Sequence, residues 1–107
     1  MMNCKAFAQR LGLEEEEYLE LLELFVETTG SNLAKLLGGL DACDSRQVLE
    51  AAHTIKGASA NLGLAAIAEV AKAVEEKARQ NSLEGAVQAA QSIKGQCEQI
   101  AHELKGI

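Results

Sequence analysis

The chain has 107 residues, 48% of them hydrophobic, with no proline and a formal net charge of −6. Its length predicts a single domain over 1–107, and its acidity argues against nucleic acid as a partner, because counterion release from a polyanion rewards basic surfaces. No apolar run approaches the ~20 residues that cross a bilayer, and Met1-Met2-Asn3-Cys4-Lys5 leads into no signal-peptide core, so no membrane partner is expected and the expected compartment is the cytoplasm.

Phe7 and Leu11, four apart, predict a short amphipathic helix over 4–11, ended by Gly12. Tyr18, Leu22, Phe25, Thr29, Leu33, Leu36 and Leu40 then keep helical phase, with Leu21 and Leu37 beside them. They predict one long helix over 14–40, with Gly30-Ser31 as the place for a bend. Glu14 to Glu17 set carboxylates at its N-terminus, where the helix dipole favours them. Asp44 is positioned to cap the next helix, with Gln47 as capping-box partner. Its inner face is Val48, Ala52, Ile55, Ser59 and Leu62, and Gly63 should stop it. A fourth helix over 65–80 carries Ile67, Val70, Ala71, Val74 and Ala78 on one side. Ser82 should cap the last helix, whose stripe is Leu83, Val87, Ala90, Ile93, Cys97, Ile100 and Leu104.

The links between these helices are short, which forces neighbours to run antiparallel. The predicted fold is all-α: an antiparallel up-down four-helix bundle with a short N-terminal helix across one end. Phe7, Tyr18 and Phe25 are its only aromatic residues, so the core must come from aliphatic side chains. Cys4, Cys43 and Cys97 form no Cys-x-x-Cys pair and read as reduced thiols. Cys97 should be buried and the other two more accessible.

The chemistry concentrates on the third helix. With Val48 as origin, His53 falls roughly 140° round the helix, Lys56 roughly 80° and Gly57 roughly 180°. His53 therefore points outward, and Ala52, Gly57 and Ala60 leave little side chain around it. An imidazole near neutrality has a free ring nitrogen that can attack phosphorus. Lys56, one turn on, can offset phosphoryl charge. Gly57 weakens the helix by ~1 kcal/mol against Ala, which is intelligible where another molecule must approach. Taken alone, the pair also fits an ordinary surface histidine beside a surface lysine.

The run His53-x-Ile55-Lys56-Gly57, with Gly63 six residues after Gly57, resembles the signature of histidine phosphotransfer (HPt) domains, in which leucine usually stands where this chain has Ile55. The resemblance extends to the long helix before the motif and the two helices after it. It implies a phosphorelay: His53 accepts a phosphoryl group at Nε2 from a receiver-domain aspartate, or from a histidine kinase, and passes it to the aspartate of a response regulator. It also implies that a Glu or Gln on the next helix hydrogen-bonds the other ring nitrogen. The matching residue is Glu75, at the edge of its helix's apolar face and at a height similar to His53. Glu75 has a plainer alternative, a solvated residue paired with Arg79 at i+4. No nucleotide-binding loop is present, so no kinase activity and no cofactor are expected.

Two rival readings share the fold. One is a metal-binding bundle built on Glu50-x-x-His53, but the second Glu-x-x-His that such sites need is missing: Glu98 precedes His102 by four. The other is a helical adaptor that docks partners without chemistry at His53.

Overall fold

The computed structural model describes residues 3–106. They form five helices and no strand: α1 (Cys4–Arg10), α2 (Glu15–Asp41), α3 (Ser45–Asn61), α4 (Ala65–Arg79) and α5 (Ala86–Lys105). Helices α2 to α5 pack in a ring, each against its neighbours in sequence, and α2 and α5 close it. The core between them holds Leu22, Phe25, Leu36, Val48, Ile55, Ile67, Ala71, Val74, Ile93 and Ile100. This is the expected bundle.

Helix α2 is continuous through Gly30-Ser31. The Glu17 carboxylate accepts from the backbone N–H of Glu14 at 3.0 Å, so Glu14 precedes the helix instead of beginning it. Asp44 caps α3 as expected, its carboxylate accepting from Gln47 N–H at 3.1 Å. The Gln47 side chain does not complete a box. It donates to the Lys35 carbonyl at 2.8 Å and ties α3 to α2.

Helix α1 closes the end where α3 passes into α4. Phe7 stacks on Tyr18 with ring centroids 6.1 Å apart and lies over Gly63, where a Cβ would stand 3.3 Å from the ring. Gly63 has φ +76°, the left-handed conformation that ends α3. The buried Tyr18 hydroxyl donates to the Leu62 carbonyl at 2.7 Å and satisfies a group that the helix end leaves open. At the other end, Gly39 packs against α3. A Cβ on it would meet Val48 Cγ2 at 2.9 Å, Val48 N at 3.1 Å and the Asp44 carbonyl at 3.2 Å.

The start of the last helix differs from expectation. Ser82 does not cap α5, which begins at Ala86 after Gly85 at φ +78°. Asn81, at φ +62°, turns the chain out of α4, and Ser82 N–H bonds back to the Lys77 carbonyl at 2.8 Å. Residues 82–85 are thereby spent on a separate turn. Val87, expected on the inner stripe, is 47% exposed, and Leu21 and Leu37 are exposed as well.

Candidate functional site

Helix α3 turns Val48, Ala51, Ala52, Ile55 and Ser59 into the core, which fixes its rotation. Ser59 is accommodated because its hydroxyl donates to the Ile55 carbonyl at 2.6 Å. With that face inward, His53 is carried outward, its side chain 64% exposed. Ala52 is fully buried and belongs to the core, so the collar beside the imidazole is Gly57 and Ala60, both exposed. A Cβ on Gly57 would meet nothing within 4 Å.

The adjoining α4 supplies Glu75. Only 2% of its side chain is exposed, yet both oxygens are engaged. Oε2 lies 2.7 Å from His53 Nδ1 and accepts from Arg79 Nη2 at 3.2 Å. Oε1 pairs with Lys56 Nζ at 2.6 Å. The Arg79 pair of the plainer alternative is present, but its solvated carboxylate is not: Glu75 is buried and contacts His53 as well. Burial pushes the Glu75 carboxyl up, but hydrogen bonds from Lys56 and His53 outweigh it and hold the group below its ordinary value. An ionised carboxylate at Nδ1 requires the proton there, which leaves Nε2 of a neutral ring as a free lone pair facing solvent.

One flank of α2 runs beside this surface. Lys35 Nζ reaches Glu50 at 3.9 Å, and the Tyr18–Leu62 hydrogen bond sets the same antiparallel register further along. Thr28, Leu24 and Leu21 follow Lys35 on the same helical flank and are exposed. Leu24 is 55% exposed, the highest value among the large apolar side chains of the described residues.

Glu50 does not form a metal set with His53. It stands between Lys35 and Arg46, the latter at 3.7 Å, while His53 Nδ1 faces Glu75. Among the described residues no group of three His, Cys, Asp or Glu side chains is placed to hold a metal ion. His102 lies in the last turn of α5, exposed. Helical phase from the sequence brought His53, Lys56 and Gly57 to one surface. It did not show that Arg79 joins them through the same carboxylate, although the i, i+4 spacing from Glu75 was the available signal.

An imidazole fixed at one nitrogen and bare at the other, on a helix face cleared by glycine, is the arrangement of a group carrier. The family model described as the Hpt domain matches residues 20–103, and the chain belongs to this family, a histidine phosphotransfer module of phosphorelays. The chain is similar to histidine-containing phosphotransfer protein B (HptB) from Pseudomonas aeruginosa PAO1, known from its crystal structure. The two share 28% identity and superpose with a TM-score of 0.82, over 95% of this chain and 89% of the other. No curated protein matches the chain at a significant level. No helix among the described residues is long and apolar enough to cross a membrane.

Proposed function

We propose that His53 is the phosphoacceptor, that Glu75 orients it, that Lys56 balances the phosphoryl charge, and that Gly57 admits the partner. The observation that carries this reading is the 2.7 Å contact between His53 Nδ1 and a buried carboxylate. It pins the tautomer and aims Nε2 at solvent, the orienting role a carboxylate plays in a catalytic triad. The donor is the phospho-aspartate of a receiver domain, or alternatively a histidine kinase. The Nε2 lone pair attacks phosphorus, the bond from phosphorus to the aspartyl oxygen breaks, and the carboxylate leaves with the electron pair. The ring keeps its Nδ1 proton and becomes cationic, with Glu75 opposite that charge. Attack by a second receiver's aspartate reverses the sequence. The module carries the group without kinase activity or a cofactor of its own, as one domain working in the cytoplasm.

The receiver would sit over Gly57 and the exposed flank of Leu21, Leu24 and Thr28, where the open space offers close approach and the leucines offer apolar contact. The test is radiolabel transfer from a panel of phosphorylated receivers. Wild type should take up an acid-labile, base-stable label, and His53→Gln should take up none while keeping its helix content. Label that persists in His53→Gln, or that moves to His102, would overturn the assignment. A bundle that binds receivers without ever being labelled would be an adaptor.

A further inference from the structure

The first half of α2 presents apolar side chains and carboxylates together. Leu24 is 55% exposed and Leu21 39%. Glu20 stands four residues before Leu24 and Glu27 three after it, so both neighbour the leucine on the helix surface, and both are exposed. Neither has an ion pair or hydrogen bond among the described residues. Lys35 is the only lysine or arginine of α2, and at 1.5 Å per residue it lies about 16 Å along the axis from Leu24, twice the screening length of about 8 Å at physiological salt. The Tyr18–Leu62 hydrogen bond sets this half of α2 beside the second half of α3, where residues 57–61 carry no charge. The carboxylates nearer His53 differ. Glu50 has Lys35 and Arg46, and Glu75 has Lys56 and Arg79.

A partner that covers Leu24 also strips water from Glu20 and Glu27. A carboxylate that loses its water without gaining a cation is unfavourable, and this chain supplies none there. The partner must bring it. A partner with carboxylates at the same place is repelled, and one with ammonium or guanidinium groups is drawn in. We propose that this surface is a specificity determinant. It selects receivers that present an apolar socket for Leu24 with lysine or arginine at the rim, placed to meet Glu20 and Glu27. The leucine supplies contact area, and the carboxylates choose the partner and speed its encounter. The inference rests on the reading that a receiver docks over Gly57 and this flank to reach His53.

The test uses the phosphorylated receiver that labels wild type fastest and follows transfer from about 0.01 M to about 1 M salt, over which the screening length falls from about 30 Å to about 3 Å. The double variant Glu20→Lys/Glu27→Lys should lose about tenfold or more in kcat/KM at the low end, through KM, and the gap should close at the high end. Glu20→Gln/Glu27→Gln should fall between it and wild type. Glu84→Lys/Glu98→Lys makes the same change of net charge in the α4–α5 turn and on α5, and should transfer like wild type. Leu24→Ala should be slow at every salt concentration. If Leu24→Ala is slow and the Glu20/Glu27 reversal changes neither rate nor salt dependence, the inference falls and the docking reading stands. Equal losses in the two charge-reversed variants also overturn it, since net charge alone would then be at work. If neither Leu24→Ala nor the Glu20/Glu27 reversal slows transfer, the receiver docks elsewhere, and the docking reading falls with the inference.

Discussion

The seam between α2 and α3 and the seam between α3 and α4 hold the same helix by different means. On the α2 side the contacts are steric. Gly39 lets the backbones approach until a single methyl would collide with Val48, and Tyr18 and Gln47 close the two ends with hydrogen bonds to carbonyls. On the α4 side, beside buried aliphatics, the outer edge is an ionic cluster in which one buried carboxylate gathers His53, Lys56 and Arg79. A steric seam sets where α3 lies and has one arrangement. An ionic seam at the solvent edge can exchange partners without moving the helix. The first seam thus fixes where α3 lies, and the second fixes the His53 ring at the solvent edge through one buried carboxylate.

The comparison breaks most visibly at two helical glycines. Gly39→Ala places a methyl against backbone atoms of α3 that cannot give way cheaply, and should destabilise the protein by ~1–3 kcal/mol. Gly57→Ala fills open space and should stabilise it by up to ~1 kcal/mol, the ordinary helix-propensity gain. Chemical denaturation of both variants checks this. Effects of the same sign would mean that Gly57 is a packing glycine too. Gly57→Gln should leave the fold intact and still slow receiver-dependent transfer strongly, because the added side chain stands where the partner must come.

The sequence made one of these glycines legible and hid the other. Gly57 stands beside an outward histidine, so helical phase alone gives it a reason. Gly39 is next to Gly38 near a helix end and carries no mark of the backbone it touches, because a close approach is a property of two helices. Phase likewise located His53, Lys56 and the height of Glu75. It left Glu75 either as partner of His53 or as a solvated residue paired with Arg79, whereas the carboxylate is buried and its two oxygens accept from His53, Arg79 and Lys56 together. Ser82 is a sound capping residue in a sound place, but the chain spends it on a turn that begins with Asn81 and ends at Gly85. Choosing among nearby starts for α5 depends on how Leu83 packs against the core, and that is tertiary information.

Acid should separate the seams next, with a smaller effect. Burial raises the Glu75 carboxyl and the hydrogen bonds from Lys56 and His53 lower it further, so its folded value lies below the ordinary 4.5. A carboxylate depressed by folding contributes stability that is present in full above 4.5 and is lost as pH falls through the folded value. Glu75→Gln removes that contribution and leaves the steric seam alone. Between about pH 6 and about pH 3 the wild type should therefore lose more stability than Glu75→Gln, as the other carboxylates titrate alike in both. Denaturant midpoints measured against pH check it. Parallel curves would mean that the cluster orients His53 without stabilising the seam.

The smallest effect needs no change at the site, only the native thiols. Cys43 is exposed in the turn that closes the steric seam, at φ +53°. Cys4 is half-buried, its thiol pushed up by burial and then by Glu15 and Glu103. Cys97 is buried on α5, pushed up to about 11 by burial and then by Glu98. Access orders the rates Cys43 first, Cys4 next and Cys97 last, and because the thiolate is the reacting species the raised Cys97 thiol reacts more slowly still. At mildly alkaline pH, mass spectrometry of timed alkylation should give that order. Cys97 has little route to reagent except through opening of the bundle, so its rate measures the open population. Gly39→Ala should then speed Cys97 about tenfold for each ~1.4 kcal/mol of stability lost, while Cys43, already exposed, has little protection to lose. If Cys43 and Cys97 accelerated by the same factor, the methyl would be disturbing the turn locally, and the steric seam would not be what holds the rest of the bundle closed.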